Sequence, residues 1–122
     1  MLIKIDTNSQ QPIYEQIVQQ IKFVIAAGAI RTNELIPSVR ELSKSLAINP
    51  NTIGKSFKVL QDEGIVILRR GMGLVVAEGS KERCEQQRME IFEKKIGQVL
   101  AEAAQSGLGK EIIERIIKEK IN

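Results

Sequence analysis

Residues 36–63 read IPSVRELSKSLAINPNTIGKSFKVLQDE, two short amphipathic segments joined by a turn. Ser38 precedes Glu41 by three residues, which is the spacing of a capping box at the start of a helix. Asn49 suits the cap of the next helix, and Pro50 suits its first position, where a missing N–H costs nothing. Two helices separated by so short a turn predict a helix-turn-helix. The apolar faces predicted for the two helices are Val39, Leu42 and Leu46 on the first, and Ile53, Phe57 and Leu60 on the second.

The flanking sequence adds a helix before this pair and a hairpin after it. A helix is predicted from Pro12 to Ala27, because isoleucine and valine recur there at steps of three and four, and Gly28 suits its end. Thr32-Asn33 marks a turn, and Gly64 ends the third helix. The runs 65–68 and 74–76 are rich in β-branched residues and are joined by Arg69-Arg70-Gly71-Met72-Gly73, which predicts a β-hairpin with a flexible basic tip.

These elements predict a mainly α fold with a small β-hairpin (α+β), a winged helix-turn-helix that occupies residues 1–78. Residues 79–122 are predicted to form a short two-helix tail, a long helix from Lys81 to Gln105 and, after a break at Gly107, a second helix. Each carries an apolar stripe too wide for two isolated helices to bury against each other, so the tail either packs back on the first domain or meets a second copy of itself. The second arrangement is preferred. The residues predicted to dimerise are Phe92, Ile96, Val99, Leu100 and Ala103 on the first helix, and Leu108, Ile112, Ile113, Ile116 and Ile117 on the second.

Polar side chains are concentrated where the third helix begins, the end that enters the major groove in a helix-turn-helix. Asn49, Asn51 and Thr52 carry both donors and acceptors, and the free amides of the first helical turn are expected to face an anion. Capping alone would need only Asn49. Basic residues on the neighbouring elements are expected to converge on the same surface, whereas Asp62 and Glu63 are expected at its far end; these basic residues are Arg40, Lys44, Lys55, Lys58, Arg69 and Arg70.

Gly54 lies inside the third helix, where glycine costs about 1 kcal/mol relative to alanine. Its presence indicates either a close approach of the backbone to a binding partner or a tight packing contact.

Composition excludes several other classes of function. The chain has 122 residues, no histidine and one cysteine, Cys84, so an intramolecular disulfide, a histidine general base and a clustered metal site are not expected. No cofactor is predicted, because Gly71-Met72-Gly73 lacks the further residues of the phosphate-binding glycine motifs. No signal sequence or membrane span is recognisable, so a cytoplasmic protein without membrane contact is expected. The net charge of +3 is too small to indicate nucleic acid by itself.

Five motifs, in this order and spacing, resemble the GntR family of bacterial transcription regulators. They are Pro12-Ile13-Tyr14-Glu15-Gln16-Ile17, Gly28-Ala29-Ile30, Pro37-Ser38-Val39-Arg40-Glu41-Leu42, Asn49-Pro50-Asn51-Thr52-Ile53 and Gly71-Met72-Gly73. The resemblance covers residues 10–77, and the short helical tail is similar to that of the YtrA-type subfamily, whose members dimerise through such a tail.

The resemblance implies DNA contacts at Arg40, at Asn49, Asn51 and Thr52, and at the wing-tip glycine Gly71. Asn33 stands where the family usually has glycine. Pro50 and Gly54 stand where some relatives place base-reading arginines. Lys55 or Lys58 is therefore expected to contribute more to DNA recognition. The full set of residues predicted to bind DNA is Ser38, Arg40, Lys44, Asn49, Asn51, Thr52, Lys55, Lys58, Arg69, Arg70 and Gly71.

The sequence thus predicts a homodimeric transcription regulator, a repressor in preference to an activator and not an enzyme, which binds an inverted-repeat operator in double-stranded DNA. The alternative is a winged-helix module that binds protein, since the fold serves both uses. The polar, basic start of the third helix favours DNA. A small-molecule effector, between tail and DNA-binding domain or at the dimer interface, is left open, because no group of residues points to one.

Overall fold

The computed structural model describes residues 3–122, and these residues form five helices and one pair of antiparallel strands, which confirms the predicted fold class. In chain order the elements are α1 (Ile13–Ala26), α2 (Val39–Leu46), α3 (Pro50–Asp62), β1 (Val66–Arg69), β2 (Gly73–Val76), α4 (Ser80–Gln105) and α5 (Lys110–Ile121). They divide into two compact units, one that ends at Arg88 and one of Met89–Asn122. Within residues 3–122, no helix combines the length and the apolar character that a bilayer span requires.

The core of the first unit lies between α1 and α3. Ile17, Ile21 and Ile25 repeat every four residues along α1 and are fully buried, and Ile53 and Leu60 of α3 are fully buried as well. Each such side chain contributes about 1.5–3 kcal/mol by leaving water. The predicted helical stripe is therefore the face that holds the unit together.

Gln16 is a buried polar residue of α1 that the apolar pattern did not single out. Its side-chain oxygen accepts a hydrogen bond from the backbone N–H of Asp6 (2.9 Å), and its amide nitrogen donates to the carbonyl oxygens of Asp6 (3.0 Å) and Gln11 (2.9 Å). Burial of a polar group costs free energy unless it is hydrogen-bonded, and these bonds satisfy it. Gln16 thereby ties the segment before α1 to the helix.

The helix-turn-helix is capped as predicted. The Ser38 hydroxyl accepts from the Glu41 N–H (3.1 Å) and the Glu41 carboxylate accepts from the Ser38 N–H (3.2 Å), a complete capping box. The turn contains one residue that the sequence did not flag, Ala47, whose φ of 54° lies in the left-handed region. That conformation costs an L-residue roughly 1–2 kcal/mol, and it lets the N–H of Ile48 reach the carbonyl oxygen of Ser43.

The hairpin pairs Val66 with Val76 and Arg69 with Gly73, so its loop is the three residues 70–72. Residues 32–36 lie beside β2 and extend this small sheet, although the sequence predicted only a turn there. The N–H of Asn33 donates to the carbonyl oxygen of Val76 (2.8 Å), and the N–H of Ile36 donates to that of Leu74 (3.0 Å). Asn33 has a φ of 68°, which confirms the predicted turn.

The first turns of α4 belong to the first unit. Ser80 and Cys84 are fully buried, and the Ser80 hydroxyl donates to the carbonyl oxygen of Ile65 (2.7 Å). The Arg83 guanidinium donates to the carbonyl oxygen of Glu63 (2.8 Å). The compact unit therefore extends to Arg88, beyond residue 78, where the predicted DNA-binding domain ends.

In the second unit, α4 ends in a Schellman motif. Gly107 has a φ of 102°, its N–H donates to the carbonyl oxygen of Ala104 (3.1 Å), and the N–H of Leu108 donates to that of Ala103 (3.2 Å). The prediction that Leu108 lies on the second tail helix is wrong, because Leu108 closes this motif and α5 begins only at Lys110. The break at Gly107 itself is confirmed.

Candidate nucleic-acid interface

The start of α3 is capped by Asn49. Its side-chain oxygen accepts from the N–H of Asn51 (2.8 Å), and its carbonyl oxygen accepts from the N–H groups of Thr52 (3.0 Å) and Ile53 (3.3 Å). The expectation of free first-turn amides is wrong at these positions, because Asn49 occupies all three. Any partner is therefore left with the side chains of Asn51, which is exposed, and Thr52, which is half-buried.

Gly54 has open space where a side chain would stand. A Cβ atom built there meets no atom of the described residues within 4 Å, apart from the helix backbone and its chain neighbours. A tight packing contact within the described residues is therefore not the reason for this glycine. The backbone of α3 stays accessible one turn after the cap.

Lys55 and Lys58 are both exposed, but both already have partners. The ammonium nitrogen of Lys55 lies 3.9 Å from the centroid of the Tyr14 ring, a cation–π contact with α1. Lys58 forms an ion pair with Asp62 (3.4 Å), so the expected separation of Asp62 from the basic residues is wrong for Lys58. Such an exposed i,i+4 pair is worth only a few tenths of a kcal/mol, and a phosphate displaces it at little cost.

Ser56, the residue after Lys55, makes a further contact between α3 and α1. The Ser56 hydroxyl is buried and lies 3.0 Å from the Tyr14 carbonyl oxygen and 3.1 Å from that of Thr52. It therefore links the first turn of α1 to α3. The hydrogen bond that the Tyr14 hydroxyl donates to Glu15, and the charge of that carboxylate, raise the pKa of Tyr14. Tyr14 is thus neutral at physiological pH and presents its ring face to Lys55.

The basic residues of α2 are available to a partner. Arg40 and Lys44 are exposed, and neither side chain forms a hydrogen bond or ion pair with another described residue. Ser38 is exposed too, although its hydroxyl oxygen already accepts the capping hydrogen bond. A hydroxyl can still donate its proton while it accepts, so Ser38 remains a donor for a phosphate oxygen.

At the hairpin, Arg69 and Arg70 differ. Arg69 is the last residue of β1, and its guanidinium donates to the side-chain oxygen of Asn33 (2.7 Å), which anchors it to the turn. Arg70 lies in the loop, is exposed and makes no such contact with the described residues. Gly71 follows with a φ of 79°, a backbone conformation that residues with a side chain rarely adopt. The basic tip thus combines one anchored arginine and one free arginine.

A capped helix that presents short polar side chains, flanked by exposed cations on the preceding helix and on a hairpin, defines a winged helix-turn-helix of the DNA-binding class. The comparisons with known proteins agree. Residues 13–76 match the family described as bacterial regulatory proteins, gntR family. The chain belongs to this family. It is a DNA-binding transcription regulator and not an enzyme.

Among the relatives, the chain is 36% identical to the HTH-type transcriptional repressor YtrA of Bacillus subtilis (strain 168), over 97% of this chain and 91% of that protein. A solved GntR family transcriptional regulator from Listeria monocytogenes superposes with a TM-score of 0.78 at 32% identity, covering 94% of this chain and 98% of the other. The DNA-binding domain of AraR in complex with operator ORE1 superposes with a TM-score of 0.53 at 26% identity, covering 63% of this chain and 94% of the other. The winged domain is thus similar to one that has been solved on DNA.

Proposed function

We propose that this regulator is a homodimeric repressor that binds an inverted-repeat operator, with one winged domain on each half-site. Repression is supported by the similarity to YtrA over nearly the whole of both chains. Because its partner would be chromosomal DNA, we also propose that it acts in the cytoplasm.

The observation that carries the homodimer is the exposure of apolar side chains on α4 and α5. Within Met89–Asn122 the structure buries no residue, and Ile96 is 57% and Val99 61% exposed. A helical pair with this much apolar surface in water is expected to associate. A second copy offers the same surface by two-fold symmetry. The proposed interface consists of Phe92, Ile96, Val99, Leu100, Ala103, Leu108, Ile112, Ile113, Ile116 and Ile117.

For the DNA contacts, we propose two roles. Asn51, Thr52 and Arg40 are the candidates for base edges, because their side chains are not committed to ion pairs and lie at or beside the start of α3. The other cations of the proposed DNA-binding set are the candidates for phosphate contacts. The proposed DNA-binding set remains Ser38, Arg40, Lys44, Asn49, Asn51, Thr52, Lys55, Lys58, Arg69, Arg70 and Gly71, with Asn49 acting through its cap.

The test is a binding selection from random duplex DNA, followed by fluorescence anisotropy of the selected sequence at several salt concentrations. We expect an inverted repeat with half-sites about one helical turn apart or slightly more, bound by two subunits. Affinity should fall steeply with salt, because several phosphate contacts release counterions. Sequence-blind binding, or a site with a single half-repeat bound by one subunit, would refute the proposal.

Arg40→Ala separates the two contact roles. If Arg40 reads a base, the variant should lose about 1–3 kcal/mol of binding free energy and relax the preference at one operator position. If Arg40 binds a phosphate, the salt slope should fall by about one while the preference stays. Arg115→Ala on α5 removes the same charge outside the proposed DNA surface and serves as the control. Equal operator affinity for Arg40→Ala and the control would exclude Arg40 as a contact.

A further inference from the structure

A cleft of about 270 Å³ lies between the start of α2 and the hairpin, within the first unit. Its lining is mostly apolar and includes Leu35, Val39, the ring of Phe57, and Leu68, Met72 and Leu74 of the hairpin. A second cleft of about 450 Å³ adjoins it and shares Leu35, Ile36, Pro37 and Glu41. Together they have the size and lining of a site for a small organic molecule.

The rim of this cleft holds apolar side chains that the unit does not need for its core. Leu68 is 69% exposed, Met72 54% and Leu35 48%. These three large apolar side chains surround one concave surface and form an exposed apolar patch, and exposure of this patch to water does not stabilise the hairpin. Such patches are typical of sites that bind a partner or ligand.

The charge in both clefts has one sign. Glu41 is the one ionised side chain among the described residues that line them. Its Oε1 accepts the hydrogen bond from the Ser38 N–H (3.2 Å), so the capping box fixes the carboxylate at the cleft wall. A fixed carboxylate beside an aromatic ring and aliphatic walls is complementary to a cation that carries an apolar group.

We propose that this cleft is a binding site for a small organic ammonium compound, with the cationic group at Glu41 and the apolar group between Val39, Phe57 and the hairpin. The site lies inside the winged domain. It goes beyond the proposed repressor function and does not depend on it.

Three probes of similar size test the charge preference: benzylamine, benzyl alcohol and benzoate, each titrated to about 10 mM into the full chain at pH 7. Amide and methyl chemical shifts are followed by NMR. We expect saturable chemical-shift changes at Leu35, Leu68 and Met72. The affinity derived from them should be highest for benzylamine and lowest for benzoate. No saturable shifts at these residues, or equal affinity for the three probes, would overturn the proposal.

Glu41→Gln isolates the carboxylate without removing the cap, because glutamine at this position also completes a capping box. We expect benzylamine to bind about 1.5- to 5-fold more weakly, the range for loss of an exposed ion pair, while benzyl alcohol binds as before. Glu78→Gln removes an exposed carboxylate that does not line the clefts and is the control. Leu68→Ser, at an exposed position, should weaken both probes. Unchanged benzylamine affinity in both Glu41→Gln and Leu68→Ser would place the ligand elsewhere and overturn the proposal.

The cleft shares Ser38 with the proposed DNA-binding set, and its hairpin residues adjoin Arg69–Gly71. If the proposed function holds, bound benzylamine should therefore lower operator affinity, and by linkage the operator should lower benzylamine affinity by the same factor. Anisotropy with the selected operator, with and without saturating benzylamine, measures this coupling, and an unchanged affinity would refute it. The NMR titration contains no DNA, so a failure of the site and a failure of the proposed function give different results.

Discussion

In the unit that ends at Arg88, most isoleucines of α1 and α3 are enclosed, whereas in Met89–Asn122 most isoleucines of α4 and α5 are exposed to water. Ile21 and Ile53 are 0% exposed, but Ile112 and Ile116 are each 41% exposed. The residue type is the same in both units. The difference lies in what surrounds each helix.

The first unit has three helices and a small sheet to enclose its core, and the buried side chains Ile17, Leu60 and Val76 come from three different elements. The second unit has only two helical segments, and two helices leave much of each apolar stripe uncovered. The comparison teaches that similar periodicity has two consequences. In the first unit it predicts a core, and in the second it predicts an interface.

The largest expected effect is in the core of the first unit. Phe57→Ala should lower the free energy of unfolding by about 3–5 kcal/mol, because the ring is 5% exposed and its loss leaves a cavity. Urea unfolding followed by circular dichroism measures this. Phe57→Leu is the control and should cost less than about 1.5 kcal/mol. A loss below 1 kcal/mol for Phe57→Ala would mean that this core is not what holds the unit together.

The second prediction addresses the interface. Ile96→Glu should dissociate the proposed homodimer and weaken operator binding by ~100-fold or more, because two linked half-site contacts become independent. Sedimentation and anisotropy measure the two effects. Gln98→Glu adds the same charge on α4, at a position off the apolar stripe, and should leave both unchanged. If Ile96→Glu remained dimeric, the stripe would not be the interface.

A smaller effect is expected at the capping box. Ser38→Ala removes the acceptor of the Glu41 N–H and should cost about 1 kcal/mol of stability, measured without DNA. Ser45→Ala, at an exposed position in the last turn of α2, should be neutral or slightly stabilising, because alanine favours helix. Equal effects of the two substitutions would show that the cap contributes nothing measurable.

The smallest effect concerns Cys84, which fastens the start of α4 to the first unit. Burial raises the pKa of this thiol above its ordinary value of 9.0, although Lys22 and Arg83 act in the opposite direction. The thiol of the folded state therefore stays protonated to a higher pH than that of the unfolded state. The contribution of the buried thiol to the free energy of unfolding is full below pH 9.0 and is lost as the pH rises through the folded pKa. The stability difference between the wild type and Cys84→Ala should shrink above pH 9. A constant difference from pH 7 to 10 would contradict this.

The local signals of the first unit were predictable because each acts over a few residues. The Ser38–Glu41 box and the Asn49 cap of α3 depend on side chains that bond to nearby backbone. The turn at Asn33 depends on a residue that tolerates positive φ, and all three features are confirmed. The contacts that modify the site were not predictable. Lys55 meets Tyr14 across 41 positions of the chain, and Arg69 meets Asn33 across 36.

The sequence by itself determined the helices, the caps at Ser38 and Asn49, and the hairpin, because periodicity and capping are local. It also indicated the family, because five motifs resemble that family in their order and spacing. Only the tertiary structure decided that the basic side chains of Lys55 and Arg69 already have a partner within the protein. It also decided that residues 32–36 extend the sheet beside β2 and that the first turns of α4 belong to the first unit. The same holds for the cleft beside Glu41, whose walls come from α2, α3 and the hairpin. These features depend on pairs of residues far apart in the chain. Each pair contributes little free energy and leaves no periodic pattern, so only the packed core brings them together.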